Sequence, residues 1–230
     1  VWARSAASRP TPEIARGPVV ATGQPSPPAP VRRRKLPPKV VGIGASTGGP
    51  QALTRVLPRL PAAFPLPILL VQHMPTGFTA SMAASLDREC ALNVREAQDG
   101  DPVRAGTVLI APGGLHMGVV QQADDVVVRL SKDPPEQSCR PAVDYLFRSL
   151  CETFGGATLA VIMTGMGEDG LAGCHALHAA GARILAQDAA SCTVFGMPRG
   201  PIEAGIADAI VPLEELADRI SESAVLGALS

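Results

Sequence analysis

A chain of 230 residues that is 46% hydrophobic carries enough apolar material for one sizeable α/β core, and with only 3% aromatics that core falls to Val, Ile, Leu and Ala. No apolar run nears the roughly 18 residues of a membrane span and no signal-peptide pattern opens the chain, so the sequence predicts a cytoplasmic protein without membrane insertion. The net charge of −1 hides an asymmetry: residues 1–86 hold ten Lys/Arg and one acid, residues 87–230 ten Lys/Arg and twenty acids. The basic half has no aromatic stacking platform, which argues against a nucleic-acid partner. Cys90, Cys139, Cys151, Cys174 and Cys192 form no CxxC pair and read as reduced thiols.

Residues 1–38 contain nine of the 23 prolines and almost no apolar periodicity. Such a segment cannot bury a core and is expected to be a disordered, basic linker, with a domain running from Lys39 to Ser230. Within it, Arg32-Arg33-Arg34-Lys35 reads as a solvated cluster or a weak docking patch. From Lys39 strands and helices alternate. Strands are predicted at 39–44, 67–72, 92–97, 107–111, 125–131, 158–163, 182–187 and 207–211, and helices at 50–60, 77–89, 141–154, 169–180, 198–204 and 213–226. Pro141 marks a helix start and Gly181 a helix C-terminus. The alternation predicts an α/β fold, a doubly wound, mostly parallel, Rossmann-like three-layer sheet. Residues 92–131 hold three strands with no helix between them, so a β-hairpin appendage is expected there.

The first strand runs into Gly44-Ala45-Ser46-Thr47-Gly48, which fits the G-x-S-x-G elbow of serine nucleophiles, and Pro50 opens the next helix. A Gly-rich turn without chemistry has the same appearance. A dinucleotide site is disfavoured: the third glycine of G-x-G-x-x-G would be Thr47, and no acid lies between Glu13 and Asp87. In doubly wound sheets, function gathers at the carboxyl ends of the strands. Ser46 follows strand 39–44, His73 follows 67–72, and Thr164-Gly165-Met166-Gly167-Glu168-Asp169-Gly170 follows 158–163. A serine, a histidine and an acid thus leave one edge of one sheet. His73 also reads as a structural histidine, and His116 is a rival base. Glu168 competes with Asp169, which also reads as the N-cap of its own helix. His175 and His178, three apart beside Cys174, lack a second ligand cluster, so no metal is expected.

In order, Gly44-Ala45-Ser46-Thr47-Gly48-Gly49-Pro50, Gln72-His73-Met74-Pro75, Ala111-Pro112-Gly113-Gly114, Thr164 to Gly170 and Phe195-Gly196-Met197-Pro198 resemble the catalytic domain of the chemotaxis protein-glutamate methylesterases, the CheB family. The resemblance runs from about Lys39 to Leu216. It implies an esterase that removes methyl groups from glutamate methyl esters on chemoreceptor helices, with receptor-glutamine deamidation in many members, and no cofactor. It implies Ser46 as nucleophile, His73 as general base, Asp169 as its orienting acid, and Thr47 and Met166 at the oxyanion site. The chain order Ser–His–Asp differs from the Ser–Asp–His of α/β-hydrolases. The family usually carries an upstream phosphoacceptor receiver domain. With no aspartate before Asp87, no receiver is expected within this chain. A non-catalytic module binding receptors or another protein through the same edge is the competing class.

Overall fold

The computed structural model describes residues 35–228, with side chains to residue 224. Most of the proline-rich segment, including Arg32, Arg33 and Arg34, lies outside the described residues. Seven strands form one sheet in which every pairing is parallel: β1 (Val40–Ala45), β2 (Ile68–Gln72), β3 (Asn93–Glu96), β4 (Thr107–Ile110), β7 (Thr158–Ile162), β8 (Arg183–Gln187) and β9 (Ala209–Val211), in spatial order β3-β4-β2-β1-β7-β8-β9. The period-two alternation of the strands builds two cores. Val41, Ile43, Ile68, Leu70, Leu159 and Val161 face α1 (Gly49–Val56), α2 (Phe78–Glu89) and α6 (Leu216–Ala228). Val40, Leu69, Val71, Ala160 and Ile162 face α3 (Val143–Phe154), α4 (Leu171–Ala179) and the antiparallel pair β5 (His116–Gln122) and β6 (Asp125–Ser131). A short α5 (Arg199–Glu203) precedes β9. Among the described residues no helix is long and apolar enough to cross a membrane.

The expected three-layer architecture is present, with differences that have local causes. Pro58 lacks the N–H that would continue α1, so residues Leu57–Arg59 tighten into a 3-10 turn. Pro141 stands two residues ahead of α3 rather than at its first position. Gly181 does close α4: its N–H donates to His178 O and that of Ala182 to Leu177 O, the paired bonds of a Schellman ending, with φ of +88° at the glycine. The hairpin lies within residues 92–131 as expected, built from the expected strand 125–131 and one further strand. Segments 93–96 and 107–110 join the main sheet in parallel, and segment 125–131 pairs with β5, which the sequence reading passes over. Gly118, Gln121 and Gln122 blur the apolar alternation of β5. Gly118 is needed because the hairpin lies flat on α3, against Ser149 and Tyr145.

Close packing of α3 accounts for the glycines of β1. A Cβ at Gly42 would meet Leu150 Cδ1 at 2.6 Å, and one at Gly44 would meet Val143 Cγ1 at 2.5 Å. Gly173 of α4 plays the same part against Phe147. The Gly-x-Gly pair therefore lets a helix approach the sheet, and that helix's N-terminus is what the site is built on. Gly44→Ala is expected to lower the unfolding free energy by about 1–3 kcal/mol through overpacking. Urea unfolding checks this, and unchanged stability would show that Val143 yields freely.

Candidate active site

Ser46, His73 and Asp169 stand at the carboxyl ends of three adjacent strands. Ala45 and Gln72 are register partners on β1 and β2, and the His73 N–H donates to Ala45 O at 3.0 Å, so Ser46 and His73 each follow a paired residue. Ser46 begins the elbow. Its N–H donates to Thr164 O (3.0 Å), and its carbonyl accepts from Gly49 N (2.8 Å) and Gln72 Nε2 (2.9 Å). Gly48 turns the chain at φ +81°, with Thr193 where a Cβ would stand. Thr164 braces the same turn: its Oγ1 donates to Thr47 O (2.9 Å), and its N–H donates to Gln187 Oε1 (2.8 Å). Gln72, Thr164 and Gln187 are buried polar residues that sequence reasoning missed. Their one signal is that Gln72 and Gln187 are polar endings to otherwise apolar strands.

The His73 ring is held from both sides. Nε2 lies 2.6 Å from Asp169 Oδ2, and Nδ1 lies 3.6 Å from Cys139 Sγ. Asp169 is almost fully buried and does not cap its own helix, where Gly170 occupies that place. Its carboxylate caps α3 instead, accepting from Val143 N (Oδ2, 2.7 Å) and Asp144 N (Oδ1, 2.9 Å). Ala142, the residue at the α3 cap position, has no side-chain acceptor to offer. Asp144 returns the favour to α4: Oδ1 accepts from Gly173 N (2.7 Å) and Oδ2 from Gln137 Nε2 (3.0 Å). Two helices thus cap one another through exchanged carboxylates. Glu168, the alternative acid, is exposed.

His116 is fully buried and stacked on Tyr145, with ring centroids 4.5 Å apart. With Nε2–H donating to Pro134 O (3.0 Å) and Nδ1 accepting from Ala142 N (3.3 Å), both nitrogens are committed. It anchors the segment leading into α3 and has no free nitrogen for proton transfer. The expected oxyanion residues flank Ser46. Gly165, the residue before Met166, packs so closely on Ser46 that a Cβ would stand 2.7 Å from the serine Cβ. Thr47 and Met166 are exposed, and their backbone N–H groups donate to no other group among the described residues. No hydrogen bond joins Ser46 Oγ to His73 in the resting geometry among the described residues. His175 and His178 face solvent while Cys174 is buried, so that trio does not converge. Lys35 departs from the solvated reading of its cluster: it pairs with Asp208 and donates to Ala182 O at 3.0 Å.

One cavity adjoins the elbow and a second adjoins His73. The larger, about 370 Å³, is lined by Gly48, Gln51, Arg55, Thr164, Ser191 and Thr193 and by neither Ser46 nor His73. The smaller, about 240 Å³, is lined by His73, Met74, Pro75, Ser138, Cys139 and Arg140, which places it beside the His73 ring.

A parallel doubly wound sheet whose carboxyl edge carries a serine elbow and a half-buried histidine paired with a buried aspartate, in chain order Ser–His–Asp, defines an α/β class distinct from the α/β-hydrolases. The CheB methylesterase family model matches residues 41–220, and the chain belongs to that family. It is 49% identical over 184 residues to a protein-glutamate methylesterase/protein-glutamine glutaminase of Desulfotalea psychrophila, covering 79% of this chain and 50% of the relative. It is 46% identical over 233 residues to one from Azospirillum brasilense, covering 96% of this chain and 59% of the relative. The chain thus spans about half the length of the curated relatives it matches. The crystal structure of the Thermotoga maritima CheB methylesterase catalytic domain superposes with a TM-score of 0.79 at 44% identity, over 80% of this chain and 98% of that one.

Burial, together with the nearby charge of Asp169, raises the carboxyl pKa of Asp144 above its ordinary value of 3.8. A carboxyl whose folded pKa is raised contributes stability that is fully present below its unfolded pKa and is lost as pH rises through the folded value. Asp144→Asn removes that loss and keeps an oxygen for Gly173 N–H. The variant is expected to gain stability relative to the parent as pH rises from about 3.8 toward neutrality. Parallel urea titrations across that range check it, and a constant difference would contradict it.

Proposed function

We propose that this chain hydrolyses glutamate methyl esters on the cytoplasmic helices of chemoreceptors, releasing methanol, and that receptor glutamines are deamidated by the same site. The observation that carries this reading is the pairing of half-buried His73 with buried Asp169, one strand away from the Ser46 elbow. Asp169 accepts the Nε2 proton and leaves the Nδ1 lone pair as the base. Ser46 Oγ attacks the glutamyl carbonyl as Nδ1 takes its proton, with the contact closing when substrate is bound. The backbone N–H groups of Thr47 and Met166 donate to the tetrahedral oxyanion, and each such donor is worth on the order of 3 kcal/mol. The imidazolium then protonates the departing methoxide. Water repeats the sequence on the glutamyl-serine ester and regenerates Ser46 and a glutamate carboxylate. For a glutamine the leaving group is ammonia, by the same steps. Asp169 stabilises the imidazolium from a place where two backbone N–H donors already hold it.

The test is methanol release from methylated receptor membranes by the parent and Ser46→Ala. The variant should fold normally and lose turnover by around 10⁶-fold, the usual consequence of removing a nucleophile from a cooperating triad. Stoichiometric labelling by a sulfonyl fluoride should vanish with it. Turnover retained in Ser46→Ala would contradict the nucleophile assignment. Receptor binding with no turnover in the parent would leave a binding module.

A further inference from the structure

One group at the site has no part in the chemistry above. Cys139, on the segment running into α3, places Sγ 3.6 Å from His73 Nδ1. Among the described residues, His73, Cys139 and Asp169 are the one trio of His, Cys, Asp or Glu whose donor atoms all lie within 4.8 Å of one another. Zinc binds imidazole nitrogen at about 2.0–2.1 Å and thiolate at about 2.3 Å, so a tetrahedral angle at the metal sets the two donors roughly 3.5–3.6 Å apart. The observed spacing of 3.6 Å meets that distance requirement. Asp169 completes the pattern from behind: by accepting the Nε2 proton it keeps the lone pair on Nδ1, as carboxylates behind metal-bound histidines do. The cavity of about 240 Å³ opens on the same two residues and gives water access to the remaining coordination positions.

We infer that His73 Nδ1 and Cys139 Sγ form a binding site for a thiophilic divalent cation of the zinc class, and that its occupation inhibits hydrolysis. In the metal-free state Cys139 is taken as the thiol, beside the His73 ring. On binding, the S–H bond breaks, a Zn–S bond forms and the proton leaves to solvent. Neutral His73 gives its Nδ1 lone pair, and nothing is oxidised or reduced. That lone pair is the one required to take the Ser46 proton, so metal and substrate turnover exclude one another. The metal is an inhibitor here and not a cofactor. The binding half of this inference stands by itself; the inhibitory half rests on the hydrolase reading.

Cobalt(II) is the probe for binding, since a thiolate ligand gives it a near-ultraviolet charge-transfer band. One equivalent should produce the band in the parent and none in Cys139→Ala. Zinc should stop methanol release from methylated receptor membranes by the parent, and EDTA should restore it. Measured against its own metal-free rate, Cys139→Ala should need at least about tenfold more zinc than the parent for the same fractional inhibition. If the alanine variant does not fold, Cys139→Ser gives the same comparison. A band absent from the parent, or equally strong in the variant, overturns the site. A Cys139-dependent band alongside zinc-insensitive hydrolysis overturns the inhibition. A parent that binds cobalt through Cys139 yet never releases methanol would uphold the site and overturn the hydrolase reading.

Discussion

The carboxylate of Asp169 is where the fold and the chemistry meet. It accepts from the first two N–H groups of α3 and from the His73 ring, so one nearly dry side chain ties the end of β2, the start of α3 and the approach to α4. A buried carboxylate is tolerable only when its oxygens are satisfied, and here helix N–H groups supply that need. The same bonds restrict its rotation, which delivers Oδ2 to His73 in one orientation. Removing the α3 N-terminus would leave both the acid and the histidine without a defined geometry.

That N-terminus can reach the site only because β1 gives it room. Gly42 and Gly44 remove the side chains that would hold α3 away, and Gly173 lets α4 close on Phe147. The reciprocal cap by Asp144 on Gly173 N locks the two helices together. The elbow is braced from β2 by Gln72 and from the far side by Thr164 and Gln187. Ser46 therefore sits on a turn whose backbone groups are bonded in several directions, an arrangement suited to presenting a nucleophile without moving it.

Much of this was legible in the sequence because it depends on local patterns. Alternating apolar strands and amphipathic helices gave the layered sheet, and the strand ends placed Ser46, His73 and Asp169 on one edge. What was not legible depends on partners distant in the chain. Asp169 looks like the cap of the helix it precedes, and only tertiary packing hands it to a helix about 25 residues earlier. His116 looks as available as His73 until Tyr145, Pro134 and Ala142 surround it. The hairpin is legible as a place in the chain, but its first strand β5 is not, because a packing glycine and two glutamines interrupt its alternation. Cys139 and Asp144 gave no signal, since their meaning lies wholly in what they face.

The proposed hydrolysis and the proposed metal binding both require His73 to carry its proton on Nε2 toward Asp169, with the lone pair on Nδ1. Nitrogen-15 NMR of histidine-labelled protein, with His73 assigned by its loss in His73→Gln, reads that tautomer directly. With the imidazole neutral, the account predicts a protonated Nε2 and a lone-pair shift at Nδ1, and loss of that preference in Asp169→Ala. A neutral His73 protonated at Nδ1, or a tautomer indifferent to Asp169, would contradict it.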